Sequence, residues 1–214
     1  MKPILFNTEM VQAILDGRKT VTRRVVKFPE GQTGRLPSNG ARDYLFYPGG
    51  IKYPPYQVGD ILYVRETWFE FRGGGYAYAA DATESSKMFR KELGYKWHPS
   101  IHMPKEAARL FLRVTNVSVA RLWDITIKEI QAEGVKSLPG SCKCAWRTET
   151  CMDEPCGNRD SFESERWRIP FLQKWDSTIK KADLSLYGWD ANPWVWVIEF
   201  ERISKEEAQK GGEG

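Results

Sequence analysis

The sequence has no long hydrophobic run and very little histidine. No apolar stretch approaches the ~20 residues that a membrane-spanning helix needs. The first ten residues, MKPILFNTEM, reach the polar Asn7 too early for the apolar centre of a secretory signal. We therefore expect a cytoplasmic protein without a membrane partner. The only two histidines, His98 and His102, lie close to prolines in a stretch without helical periodicity, which favours packing or a hydrogen bond over metal binding.

The chain also lacks the extreme composition of a disordered protein. It has 32 Lys and Arg against 28 Asp and Glu, a net charge of +4, with 41% hydrophobic and 28% charged residues. These fractions are ordinary for a globular protein and exclude wholesale disorder. The mild positive charge is compatible with a nucleic-acid partner but does not establish one. A chain of this length buries roughly 70% of its unfolded surface, so its core needs neither disulfides nor metal.

Cysteine is confined to one short segment. Four cysteines have the spacing C-x-C-x6-C-x4-C, and they are Cys142, Cys144, Cys151 and Cys156. Disulfides are rare in a reducing cytosol, so clustered thiols indicate either a metal site or unligated loop residues. Tetrahedral zinc sites often use two C-x2–4-C pairs, which these gaps match only loosely. A structural zinc held by the four cysteines is therefore one expectation, and unligated thiols are the other.

Periodicity and capping residues predict several helices. Residues 8–16 form an amphipathic helix with Asn7 or Thr8 as its N-cap. A second helix is predicted in DITIKEIQAEG, with Thr126 as its N-cap. The segment ESERWRIPFLQKWDSTIKK predicts one or two helices broken at Pro170, because proline removes a backbone donor and clashes with the preceding turn.

Strands are predicted at residues 20–27, 61–71, 109–122 and 192–203. The last is so apolar that it is expected to be covered on both faces. Because strands outnumber helices without regular strand-helix-strand alternation, a parallel doubly wound sheet is not expected. The order predicts an α+β fold, with a small, mostly antiparallel or mixed barrel or curled sheet and helices over its ends.

The domain organisation follows from the absence of an internal repeat or linker. We predict a single domain over residues 1–204, followed by a flexible tail at 205–214. Long insertions between the predicted elements fall at about 28–57, 70–105 and 136–165.

The densest chemical segment is GRKTVTRR, between the first helix and the first predicted strand. Lys19 lies where a side chain can point into a cavity, and a desolvated lysine can act as a base towards a hydroxyl such as that of Thr22. Because residues 19 and 22 face opposite sides of an ideal strand, their cooperation requires Lys19 to remain in the turn. Alternatively, Arg18, Arg23 and Arg24 bind phosphates, or the run is a solvated strand end.

Two other segments carry charged or aromatic candidates. Arg65, Glu66 and Trp68 end a predicted strand. They form either a cross-strand ion pair beside a packed tryptophan or the mouth of a pocket in which Trp68 stacks on a ligand. Glu133 lies at a helix C-terminus, where the helix dipole disfavours a carboxylate. It is either an exposed surface residue or an acid in a pocket.

Tryptophan is abundant, with nine in the chain. Trp194 and Trp196 share one face of the last predicted strand and are expected to cover a core or a pocket floor. Packing explains most of the others, and stacking on nucleic-acid bases is the functional alternative.

The chain contains the segments AILDGRKTVTRR, YQVGDILYVRETW and WVWVIEFERI. These three segments resemble the ASCH domains of the PUA-like superfamily. The closer likeness is to phage- or prophage-encoded ASCH proteins, which open in the style of MKPILF and carry similar HMP, AEG and NPWVWV segments. The matching segments cover about half of the chain, and GRKTVT is the most specific of them. For a phage-derived protein the expected compartment is the cytosol of the bacterial host.

The resemblance implies a β-barrel with flanking helices and a cleft suited to RNA or a modified nucleoside. One small bacterial member of the family is an amidohydrolase that removes the acetyl group from N4-acetylcytidine. Its catalytic lysine and threonine lie in the same K-T-x-T run, which corresponds here to Lys19 and Thr22, and its catalytic glutamate corresponds to Glu133. The resemblance thus implies Thr22 as nucleophile, Lys19 as base and Glu133 as proton shuttle, with no cofactor needed for catalysis.

Three functions are therefore predicted as alternatives, the third being a phage accessory protein that binds another protein through the long insertions. The first is an amidohydrolase acting on N4-acetylcytidine-type substrates. The second is a non-catalytic RNA- or DNA-binding module of phage or prophage origin, in which the basic run and the tryptophans contact the nucleic acid.

Overall fold

Helices and strands follow one another irregularly along the chain. The computed structural model describes residues 1–138 and 159–211. Within these ranges the strands are β1 (Lys2–Leu5), β2 (Val21–Val25), β3 (Leu45–Tyr47), β4 (Gly50–Lys52), β5 (Ile61–Arg65), β6 (Trp68–Glu70), β7 (Tyr76–Tyr78), β8 (Phe111–Arg121) and β9 (Trp194–Ile203). The α-helices are α1 (Thr8–Leu15), α2 (Glu84–Glu92), α3 (Ile127–Ala132), α4 (Arg159–Thr178), α5 (Leu184–Tyr187) and α6 (Lys205–Lys210).

The principal sheet has five strands in the order β1-β5-β8-β9-β2. It is mixed, because β1 pairs parallel to β5, with Lys2 opposite Leu62, whereas β5 pairs antiparallel to β8, with Leu62 opposite Leu112. Two smaller sheets consist of β3 with β4 and of β6 with β7. The predicted α+β class is confirmed. The expected interior position of the last strand is also confirmed, since β9 lies between β8 and β2 and residues 195–198 are buried.

Strand β1 was not predicted from the sequence. It is only four residues long, too short for an alternating pattern, and it contains Pro3. Proline cannot donate to a sheet hydrogen bond and is therefore found mainly on edge strands. β1 is the edge strand beside β5, which accommodates it.

The junction between α1 and β2 has the predicted form. The side chain of Asn7 caps α1, and Gly17 has a φ of 72°, in the left-handed region that ends a helix. The backbone N–H of Lys19 still donates to the carbonyl of Ala13 at 2.9 Å. Lys19 is therefore tied to the last turn of α1 although it occupies an isolated β-bridge position, and β2 begins only at Val21.

Helix α4 is continuous, so the predicted break at Pro170 is wrong. Proline deprives the helix of one backbone hydrogen bond. The next turn carries two buried aromatic residues, Phe171 and Trp175, and the indole N–H of Trp175 donates to the carbonyl of Tyr187 at 2.9 Å. The burial of these rings offsets the missing hydrogen bond.

The C-terminal segment forms α6, where the sequence predicts a flexible tail. The Ser204 hydroxyl accepts a hydrogen bond from the Glu207 N–H at 3.1 Å, and the Glu207 carboxylate accepts one from the Ser204 N–H at 2.9 Å. This reciprocal capping box satisfies two backbone donors at the start of the helix. Ala208 is fully buried and belongs to a core cluster with Ile61 and Ile203.

The chain divides into two compact units. The first contains Met1–Thr22, Tyr53–Ser118 and Ile198–Gly214, and the second contains Arg23–Lys52 and Val119–Val197. The core of the first unit includes Trp68, Met103 and Phe111. In the second unit, Phe171 contacts the rings of Trp175 and Trp189.

Candidate functional site

Lys19 and Thr22 lie in the first unit, and each side chain is buried, with 2% of its residue exposed. The Lys19 amine donates to the carbonyl of Val21 at 2.7 Å and lies 5.6 Å from the centroid of the Phe6 ring. Because Lys19 precedes β2, the strand alternation that would place residues 19 and 22 on opposite faces does not apply. Their cooperation stays a prediction.

Glu133 lies in the second unit, where it caps the C-terminus of α3 and is 7% exposed. Arg23, the residue after Thr22, donates through Nη1 to Oε1 of Glu133 at 3.2 Å and through Nη2 to Oε1 of Glu129 at 2.9 Å. We call Arg23, Glu129 and Glu133 the Arg23 cluster. The buried guanidinium therefore contacts two carboxylates, and phosphate binding by Arg23, one of the alternatives that the sequence allows, stays a prediction.

The second carboxylate of the Arg23 cluster is held by the start of α3. Glu129 Oε2 accepts hydrogen bonds from the backbone N–H and the hydroxyl of Thr126, both at 2.8 Å. Burial raises the pKa of Glu129, but the Thr126 hydrogen bonds and the Arg23 charge outweigh it and hold that pKa below its usual value. Glu129 is thus an ionised partner for Arg23 at neutral pH.

Among the described residues of the first unit, Glu66 is the most deeply buried carboxylate. Arg109 binds it with two parallel hydrogen bonds, from Nε to Oε1 at 2.9 Å and from Nη2 to Oε2 at 3.0 Å. Arg109 also pairs with Asp81 and stands 4.0 Å from the centroid of the Tyr78 ring. Burial raises the pKa of Glu66, and Arg109 opposes that shift. We call Glu66, Asp81 and Arg109 the Arg109 cluster.

Arg65 and Trp68 also have partners inside the protein. Arg65 donates to the backbone carbonyls of Met103, at 2.9 Å, and Ile101. Trp68 is buried against Tyr76 and His98, whose ring centroids lie 5.6 and 5.2 Å away. The segment thus contains an ion pair beside a packed tryptophan. A role of Arg65, Glu66 or Trp68 in binding a nucleic acid stays a prediction.

The remaining basic residues of the run lie at the two ends of the α1–β2 junction. Arg18 pairs with Asp16 at the end of α1, at 2.8 Å between Nη2 and Oδ2. Arg24 lies half-buried in β2. Phosphate binding by these two arginines stays a prediction.

The predicted zinc ligands Cys142, Cys144, Cys151 and Cys156 lie outside the described residues, so the structural zinc stays a prediction. Within residues 1–138 and 159–211, no group of three or more His, Cys, Asp or Glu side chains is placed to hold a metal ion. No helix in the same ranges combines the length and the apolar character needed to cross a membrane.

Sequence reasoning missed Glu129 and Arg109 as partners of the predicted residues. For Glu129 a signal was present, because Thr126 and Glu129 have the T-x-x-E spacing of a capping box. For Arg109 no local signal exists. It stands just before β8, and Glu66 stands just after β5, so the two meet only because these strands pair antiparallel.

Comparisons of the chain with protein-family models, with curated proteins and with solved structures found no match.

Proposed function

We propose that the chain is an ASCH-type amidohydrolase with a PUA-like β-barrel, and that it removes the acyl group from N4-acylated cytosine nucleosides, free or within RNA. One observation carries the proposal. Five polar or charged side chains are buried in the described part of the chain, and three of them are Lys19, Thr22 and Glu133. Burying such groups is unfavourable unless partners compensate. Their burial disfavours a solvated strand end and supports a role in chemistry.

The proposed reaction has two steps. In the first, Thr22 Oγ forms a bond to the acyl carbon and the bond from that carbon to N4 breaks. The hydroxyl proton passes to Lys19 and is delivered through Glu133 to the departing N4 amine. In the second, water hydrolyses the threonine ester, which releases a carboxylic acid and restores the hydroxyl. Every atom and proton is accounted for by these side chains, the substrate and water.

Two contacts of the proposed catalytic residues hold them in position. The hydrogen bond to the Val21 carbonyl holds the Lys19 amine at the start of β2. Arg23 acts as a positioning residue, since it fixes one carboxylate oxygen of Glu133.

Incubation with N4-acetylcytidine, followed by chromatography of cytidine, tests the proposal. We expect turnover by the unaltered chain and a fall in kcat/KM of about 100-fold or more in Lys19→Ala, Thr22→Val and Glu133→Gln, the range for loss of a general acid or base. Thr20→Val is the matched control, because Thr20 lies in the same run but is exposed.

Equal turnover in Thr22→Val and Thr20→Val would contradict the proposed nucleophile. Binding of acetylated RNA without product would support the non-catalytic nucleic-acid-binding module instead.

A further inference from the structure

A cavity of about 200 Å3 lies in the second unit, and none of the proposed catalytic residues lines it. Its walls come from Val26 and residues 28–33, which follow β2, and from residues within 186–193, which precede β9. Trp194 at the start of β9 and Arg121 at the end of β8 complete them. We infer that this cavity binds one nucleotide, with its base against the aromatic side chains and its phosphate beside Arg121 and Lys27.

The volume limits the ligand to one small ring system. A cavity of about 150 Å3 holds a single benzene ring, and pockets for drug-sized ligands begin near 300 Å3. A space between these values accommodates one planar base, with the sugar and the phosphate at the mouth.

Two aromatic residues of the wall provide surfaces for a base. Trp194, on the face of β9 that the sequence predicts to cover a core or pocket floor, lines the cavity together with Tyr187. The Trp194 indole N–H donates to the carbonyl of Gly34 at 2.9 Å, which fixes the orientation of the ring. Bases stack on such rings without regard to sequence, because every base has a π face.

Arg121 supplies a positive charge at the cavity wall. Its guanidinium carbon lies 4.5 Å from the centroid of the Trp194 ring, and Nη1 donates to the carbonyl of Asn192 at 2.9 Å. Within residues 1–138 and 159–211 it forms no ion pair. A guanidinium has five N–H donors, so several remain for a phosphate.

The residue that holds Arg121 has an unusual backbone. Asn192 has a φ of 44°, and among the described non-glycine residues it is the only one with a positive φ. Its side-chain oxygen accepts from the Trp123 N–H at 2.9 Å while its carbonyl accepts from Arg121. Asparagine adopts the left-handed region more readily than most residues, and Asn192 here ends the 3-10 turn Trp189–Ala191. Its two hydrogen bonds hold the Arg121 guanidinium beside the cavity.

Two other side chains match the chemistry of a nucleotide. Lys27 is exposed, and its amine lies 5.9 Å from the centroid of the ring of Tyr187, which lines the cavity. Gln32 lines the cavity, and its buried Oε1 has no hydrogen-bond partner within the described residues. The last torsion of a glutamine is soft, so a small rotation lets Oε1 accept from the amino group of a base.

Calorimetric titration of the full chain with AMP tests the inference. AMP is chosen because adenine is not the base of the proposed hydrolase substrate, so a failure here and a failure of the proposed function can be told apart. We expect AMP to bind and adenosine, which lacks the phosphate, to bind about tenfold more weakly. Tyr187→Ala is expected to weaken AMP binding by about 5- to 150-fold, the range that stacking of one base gives. Arg121→Met is expected to weaken it at least as much.

Arg202→Met, an exposed arginine on β9, is the matched control and should leave the affinity unchanged. Because Arg121→Met could fold poorly, Lys27→Gln provides a second variant at an exposed position. For this variant we expect the slope of log affinity against log salt concentration to be smaller by about 1. Lys19→Ala should keep AMP binding while it loses turnover.

A second titration with hexameric oligoadenylate identifies the source of the nucleotide. Binding of AMP would indicate a free nucleotide, and binding of the oligomer alone, with the same dependence on Arg121 and Tyr187, would indicate a nucleotide within single-stranded RNA. Both outcomes support the site. Binding of neither probe, or affinity losses in Arg121→Met and Lys27→Gln no larger than in Arg202→Met, would overturn it.

Discussion

The two buried charge clusters are arranged in opposite ways. In the Arg109 cluster the buried member is a carboxylate, since the side chain of Glu66 is 1% exposed and that of Arg109 is 26% exposed. In the Arg23 cluster the buried member is the guanidinium, with Arg23 2% exposed and its partners Glu133 and Glu129 8% and 39% exposed. Each cluster consists of one arginine and two carboxylates. They differ in which charge has been removed from water.

This difference determines how each cluster responds when a charged partner is removed by substitution. A buried carboxyl group that loses its partner can take up a proton and become neutral. An arginine cannot lose its proton under protein conditions. Arg23 therefore needs a carboxylate at every pH at which the protein is folded, whereas Glu66 needs Arg109 only while it is ionised.

The largest effect is expected when Arg23 loses both partners. The double substitution Glu129→Gln with Glu133→Gln leaves a buried guanidinium without a counter-charge, and we expect it to lower the free energy of unfolding by about 3–5 kcal/mol. Urea unfolding at pH 7 measures this. Glu201→Gln is the control, because Glu201 is exposed and its pair with Arg113 contributes under about 1 kcal/mol. A double variant as stable as the control would contradict the comparison.

A smaller, pH-dependent effect is expected for Arg109→Met. At pH 7 the loss of hydrogen bonds to a charged group lowers the free energy of unfolding by about 2 kcal/mol. At pH 5 the loss is expected to be smaller, because Glu66 can then be protonated. Urea titrations at both pH values measure the change, and Glu66→Gln with Arg109→Met is the matched variant, which should show no such pH dependence. An equal loss of the free energy of unfolding at both pH values in Arg109→Met would show that Glu66 does not become protonated when Arg109 is absent.

Single substitutions of Glu66 and Glu129 are expected to change the pH dependence of the free energy of unfolding in opposite directions. The pKa of folded Glu66 is raised above its ordinary 4.5, so its contribution favours folding in acid and is lost as the pH rises through the folded pKa. The pKa of folded Glu129 is lowered, so its contribution is present above 4.5 and is lost as the pH falls through the folded pKa. Relative to the unaltered chain, Glu66→Gln should become more stable with rising pH, and Glu129→Gln should become less stable. If the free energies of unfolding of both variants changed with pH in the same direction, the proposed difference between the two clusters would be contradicted.

The smallest effect is expected at the two helix caps. Ser204→Ala removes the cap of α6 and should lower the free energy of unfolding by about 1 kcal/mol. Thr126→Ala should cost more than this, because Thr126 also holds the carboxylate of Glu129 that binds Arg23. Thermal unfolding of the two variants compares them, and equal losses would mean that the α3 cap and Arg23 are not coupled.

Local signals predicted the parts of the molecule that depend on neighbouring residues. The cap at Asn7 was predicted from one short stretch of sequence, and the left-handed Gly17 lies at the other end of the same helix. The break predicted at Pro170 was wrong because a local rule was outweighed by the packing of Phe171 and Trp175, which periodicity does not reveal.

Pairings between distant segments could not be predicted in the same way. Arg23 and Glu133 are separated by 110 positions, and Trp194 and Gly34 by 160. Nothing near any of these residues in the sequence specifies its partner, so the Arg23 cluster and the nucleotide cavity emerge only once the strands and loops are assembled. The cavity in particular combines a glutamine and an arginine that carry no motif.

The hydrogen bond between Lys19 and the last turn of α1 fixes the position of the Lys19 amine relative to the helix. The backbone N–H of Lys19 donates to the Ala13 carbonyl, so the number of residues between Ala13 and Lys19 sets where the amine lies. An extra residue inserted after Gly17 would leave every side chain present yet shift the amine by one step along the backbone. A natural variant with such an insertion is therefore expected to keep the fold but to lose the proposed catalytic activity.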